Sequence, residues 1–124
     1  MLCRKVTENT IQLTENNIPI LIITEQINED VIVFNINGTL KNNLVYELED
    51  ELSAAVSVKK NMELDFSQLS YIASASLKML LRIQQKLDAS NSDKVMKITH
   101  VPDNIMQVFR EVGLSDLLQF EKGE

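Results

Sequence analysis

The sequence predicts a single α/β domain with a mixed β-sheet, an opening hairpin and crossover helices, in the order ββαβαβαβ. Three observations carry this. Short β-branched runs alternate along the chain with longer stretches of helical periodicity. The 124 residues suit one hydrophobic core. The composition, 44% hydrophobic and 24% charged, is that of an ordinary globular protein, with apolar residues spread along its length.

Residues 1–17 are polar and without sustained periodicity, and are read as a flexible leader or at most an edge addition; the folded domain is expected over 18–124. Ile18 to Gln26 is β-branched and reads as the first strand. Asn28-Glu29-Asp30 supplies a turn, and Val31 to Ile36 forms a second strand too apolar for simple alternation, hence expected to be covered on both faces. Asn37-Gly38-Thr39 is expected to break it, with Asn42 or Asn43 capping the following helix. Leu44, Leu48, Leu52 and Ala55 recur at helical spacing, and Glu47, Glu49, Asp50 and Glu51 form a solvated face rather than a metal site.

Lys59-Lys60-Asn61 reads as a turn, Met62 to Phe66 as a third strand, and Leu77 to Asp88 as a second helix entered through Ala73-Ser74-Ala75-Ser76. A strand reached through a helix from another strand of the same sheet is expected to be parallel to it, by a right-handed crossover. Residues 89–93 form a loop, and Val95 to Ile98 a fourth strand. Pro102 opens a third helix with Asp103 or Asn104 as cap and Ile105, Val108, Phe109 and Val112 on its apolar face. Gly113 marks its stop, and Leu117 to Phe120 add a short last strand before a charged tail, 121–124.

Composition also narrows the function. A net charge of −6 disfavours a nucleic-acid partner, which would need clustered Lys and Arg. No apolar run approaches the ~20 residues of a membrane span, and the absence of an export signal makes the cytoplasm the expected location. Cys3, the only cysteine, cannot form an internal disulfide, and to act as a nucleophile it would have to recruit His100, the only histidine, across the fold. Asp65 has no second carboxylate at a matched spacing and is read as bonding to backbone in the loop before Ala73. There is no P-loop, no dinucleotide-binding glycine pattern and no zinc spacing, and three glycines are too few for a phosphate cradle. The expected function is therefore binding, not catalysis, with no cofactor and no metal.

The stretch Leu64-Asp65-Phe66-Ser67-Gln68-Leu69-Ser70-Tyr71-Ile72-Ala73-Ser74-Ala75-Ser76-Leu77 resembles the signature of the STAS family, the sulphate transporter and anti-sigma-factor antagonist domains. That signature is a strand ending in Asp-hydrophobic-Ser, five variable residues, then Asp-Ser-Ser-Gly-Leu opening a helix. Gly38-Thr39-Leu40 and Val108-Phe109-Arg110-Glu111-Val112-Gly113-Leu114 extend the likeness, which covers roughly Ile22 to Phe120.

The resemblance implies an anti-sigma-factor antagonist that docks on an anti-sigma-factor kinase and is released when a serine or threonine at the helix start is phosphorylated. A phosphate there adds about −1.5 to −2 charges, enough to break a packed interface. At the switch itself this chain departs from the pattern. The phosphoacceptor position is Ala75, which has no hydroxyl; Ala73 replaces the acidic residue and Ser76 the glycine. Ser74 and Ser76 lie one residue to either side, which turns their hydroxyls roughly 100–180° away.

Ser74 is open to three roles: helix cap, partner contact or phosphoacceptor. Ser76 is read as first-turn filler. The expected partner-binding surface comprises Gly38, Tyr71, Ala73, Ser74, Ala75, Ser76, Lys78 and Arg82, with Leu77, Leu80 and Leu81 serving the core. The partner is expected to be an anti-sigma-factor kinase. The alternatives are an ABC-type ATPase of a lipid transporter, and a small-molecule or sensory role.

Overall fold

A computed structural model describes residues 2–58, 60–90, 93–113 and 116–121. The chain runs β1 (Leu2–Val6), β2 (Thr10–Glu15), β3 (Ile18–Ile27), β4 (Val31–Leu40), a 3-10 turn (Asn42–Leu44), α1 (Val45–Val58), β5 (Asn61–Asp65), β6 (Leu69–Ile72), α2 (Ser74–Ala89), β7 (Met96–Thr99), α3 (Asp103–Glu111) and β8 (Gln119–Glu121). The strands form one sheet in the order β1-β2-β3-β4-β5-β7-β8, with β6 pairing β4.

β1 to β4 are antiparallel neighbours. From β4 onward the pairing is parallel, β4 with β5, β5 with β7 and β7 with β8, and a helix lies in the chain between the two strands of each of these pairs. The mixed sheet with its opening hairpin and crossovers is thus as the sequence predicts.

The leader is the main correction. Residues 2–15 are two strands, and Ile11 and Leu13 are buried in the common core. The signal lay in the alternation Thr10-Ile11-Gln12-Leu13-Thr14 and in the two-residue turn behind it. Asn16 and Asn17 adopt φ of 53° and 66°, the left-handed geometry that matches the twist of a tight hairpin. β1 is wholly exposed, an edge strand carrying Cys3, Arg4 and Lys5, which is why no apolar pattern announces it.

One face of the sheet is buried. Ile11 and Leu13 of β2 register with Ile23 and Leu21 of β3; Ile32, Phe34 and Ile36 of β4, Met62 and Leu64 of β5, and Met96 and Ile98 of β7 continue the layer. Val45, Leu48, Leu52, Ala55 and Val56 of α1 and Leu77, Met79, Leu80, Ile83 and Leu87 of α2 complete the core. Phe109 of α3 is fully buried and meets the Phe120 ring edge-on at 5.0 Å.

The other face is mixed: the register aligns Thr24, Asn35, Asp65 and Thr99 across four strands, with Ile22, Val31 and Val33 on the same side. β4 is accordingly covered on one face only, with Val31, Val33 and Asn35 half-buried, not enclosed on both sides as expected. Nor does β4 break at Asn37; it runs to Leu40 with a bulge at Gly38 and Thr39.

The expected helix caps are also absent. Asn42 and Asn43 lie inside the 3-10 turn, whose N-cap is Lys41; the N-cap residues of α2 and α3 are Ala73 and Pro102, and none of the three makes a side-chain capping bond. α3 ends one residue before Val112, so that side chain leaves the apolar face and is 47% exposed, while Gly113 takes the left-handed φ of 75°. Lys59, Asn91, Ser92, Leu114 and residues 122–124, which figure in the expected turn, loop, motif and tail, lie outside the described residues.

Candidate functional site

The segment from β5 to α2 folds along β4. The Asp65 carboxylate accepts the Ser67 backbone N–H at 2.9 Å, closing the turn as expected of a loop-bonding carboxylate. The Leu69 N–H donates to the Phe66 carbonyl at 3.0 Å, launching β6, an element the short Leu69-Ser70-Tyr71-Ile72 run did not reveal.

β6 is then fastened to the bulge in β4. The Gly38 N–H donates to the Gln68 carbonyl, the Ser70 hydroxyl donates to the Gly38 carbonyl, and the Ala73 N–H donates to the Leu40 carbonyl. Gly38 has φ of +117°, and a Cβ there would collide with the Ile20 carbonyl, so only glycine fits where β3 passes β4. Gly38 therefore has a structural task inside the sheet, half-buried, and is not the open loop expected of it.

α2 begins directly after Ala73, so Ser74 is its first residue and not its cap. Ser74 and Ala75 are exposed, as are Tyr71 on β6 and Lys78 one turn further. Ala73 and Ser76 point the other way and are buried. The Ser76 hydroxyl has no hydrogen-bond partner, so Ser76 is a core residue and not first-turn filler. Where the signature has glycine, its side chain brings a polar atom into the core.

Arg82 is exposed but engaged. Its guanidinium grips Glu49 of α1 through two bonds, at 3.0 and 2.8 Å. The hydrogen bond and charge of Arg82 hold the Glu49 carboxyl below the usual glutamate range, against a smaller opposing effect of burial. One turn on, the Lys86 ammonium donates to the Ser53 hydroxyl at 3.0 Å. Leu77 and Leu80 are buried, as expected; Leu81 is only half-buried and, with Ser74, Leu77, Lys78 and Val112, lines a hollow of about 160 Å³.

Asp65 and His100, treated separately in sequence, come together. His100 Nδ1 lies 3.6 Å from Asp65 Oδ1 and 3.2 Å from the Thr99 hydroxyl, on a backbone of φ 54°. Parallel pairing of β5 with β7 aligns Asp65 with Thr99 and so delivers the contact. The Thr99 hydroxyl is buried and donates to Glu63 or the Leu64 carbonyl, so it is not presented to a substrate. Cys3 cannot join this pair: β1 and β7 are five strand positions apart, about 24 Å at ~4.8 Å per strand. Among the described residues no cluster of metal-ligating side chains occurs, and no helix is long and apolar enough to cross a membrane.

Along the first half of α1, Arg4 of β1 lies 3.4 Å from Glu47 and 3.9 Å from Glu51. Burial, with the neighbouring Glu25, raises the Glu51 carboxyl above the usual range despite Arg4. This tie fastens the N-terminal strands to α1.

Solved structures with the same fold include an anti-sigma factor antagonist from Mycobacterium paratuberculosis, at TM-score 0.71 and 17% identity over 81% of this chain and 84% of that one. The unphosphorylated anti-sigma factor antagonist SpoIIAA matches at 0.69 and 16%, over 82% and 88%. A putative anti-sigma factor antagonist from Thermotoga maritima matches at 0.71 and 15%, over 82% and 86%. No curated protein matches the chain in sequence. A family model described as "Mlab, STAS domain" matches residues 23–119, from the middle of β3 to the start of β8, and the chain belongs to that STAS domain family.

Proposed function

We propose that this chain is a non-catalytic regulatory module that binds a protein partner through the start of α2 and the adjoining β6, and that it is not switched by phosphate at position 75. The observation that carries this reading is the N-terminal turn of α2. Ser74 and Ala75 stand exposed beside Tyr71 and Lys78, offering small side chains that let another backbone approach closely. The residue at the phosphoacceptor position is alanine, so the surface is open to docking but closed to the usual modification. Of the surface expected from sequence, Tyr71, Ser74, Ala75 and Lys78 are the contact residues; Gly38, Ala73 and Ser76 shape it from within, and Arg82 braces α2 against α1.

The partner on this reading is an anti-sigma-factor kinase. A second reading, an ABC-type ATPase subunit, is favoured by the family description, which names an Mlab STAS domain, and on that reading no phosphosite is needed. Co-purification of the full chain from native cells, with identification of the bound protein, separates the two. Incubating that complex with Mg-ATP, followed by intact-mass and fragment analysis, tests the switch. The expected result is an intact complex with no phosphate on this chain; phosphate on Ser74 would overturn the non-switching reading.

A further inference from the structure

α2 carries Lys78, Arg82 and Lys86 one turn apart, a cationic row in a chain of net charge −6. α1 lies alongside in a fixed register. Arg82 meets Glu49 and Lys86 meets Ser53, both across an offset of 33 residues. The same offset assigns Lys78 to Val45, which is buried and apolar, with Tyr46 exposed beside it. The first rung of the ladder therefore has no acceptor, and Lys78 makes no ion pair or hydrogen bond among the described residues.

This unmatched cation stands at the rim of the hollow between α2 and the end of α3, floored by buried Leu77 and half-buried Leu81 and walled by exposed Val112. Resting on the reading of this face as the partner surface, we propose that the hollow receives an acidic, aliphatic helical segment of a protein partner. That segment inserts a leucine-like side chain against Leu77, Leu81 and Val112 and places a carboxylate, one turn away, on Lys78. Aliphatic insertion removes apolar surface from water on both sides, and the same closure desolvates the Lys78 pair and strengthens it. The carboxylate supplies in trans what Glu49 supplies to Arg82 in cis.

The test needs only the full ¹⁵N-labelled chain and synthetic helical peptides, so it stands apart from whether a cellular partner is found. The probe peptide carries Leu and Glu one turn apart; its controls replace Glu with Gln or Leu with Ala, and octanoate serves as an acyl-chain arm. The expected result is amide shifts centred on 74–82 and Val112, with affinity falling roughly fivefold for the Gln peptide or for Lys78→Gln, and no further when both are combined. Equal affinity for the Glu and Gln peptides, shifts located elsewhere, no shifts at all, or octanoate binding as tightly as the peptide would each overturn the proposal. Any of these outcomes leaves the partner-binding reading to stand or fall by its own experiment.

Discussion

Ala75 sits exposed at the second position of α2, where a methyl group leaves room for a neighbouring surface. Ala75→Glu places a charge there without any kinase. Inside a packed interface that carboxylate would lose hydration without gaining a partner, so binding is expected to weaken by several kcal/mol, about a hundredfold or more in Kd by titration calorimetry. Ser76 makes a prediction of the opposite sign. Its buried hydroxyl is unpaired, a desolvation cost of about 1–3 kcal/mol, so Ser76→Ala should raise stability in urea by ~1 kcal/mol. Arg82 is an exposed ion-pair partner and not a free contact, so Arg82→Ala is expected to cost no more than about 1 kcal/mol. The sign of its pH dependence follows from Glu49, whose folded-state pKa is lowered. The pair's contribution is fully present above the unfolded-state pKa and is lost as the pH falls through the folded one. Urea melts of wild type and Arg82→Ala between neutral and acid pH should therefore converge as the pH falls.

At the scale of elements, β2, which precedes the family match, is part of the core. Leu13 is fully buried, so Leu13→Ala is expected to destabilise by about 2–5 kcal/mol, comparable to the 3–5 kcal/mol expected of Phe109→Ala. Removing residues 1–15 should lower the melting temperature markedly, because β3 would lose its outer neighbour along with Ile11 and Leu13. The contrast between elements shows what a sequence displays. α1 and α2 announce themselves by leucines at helical spacing, and the parallel pairing of β4, β5 and β7 follows from the helices between them. β1 and β6 do not. β1 is an exposed edge with nothing to bury, and β6 has four residues of which only Leu69 and Ile72 face inward. The proposed docking surface was legible as a run of small residues. That Ser76 turns inward could be read from its place four residues before Leu80 and seven before Ile83, whereas that Arg82 is held by Glu49 and that His100 meets Asp65 depends on helix packing and strand register, which spacing along one chain does not encode.

Across the whole molecule, the helices, β6 and the buried sheet face share one hydrophobic core, and the start of α2 lies at its margin. The proposed docking is separable from stability on such a scaffold, because Ser74 is exposed and is not the cap of α2. The direct test is the affinity of the identified partner for Ser74→Trp, measured beside its thermal melt. A bulky ring at the first residue of α2 should abolish binding while the melting temperature stays within a few degrees of wild type. Undiminished affinity in a folded Ser74→Trp protein would contradict the assignment of this surface as the docking face.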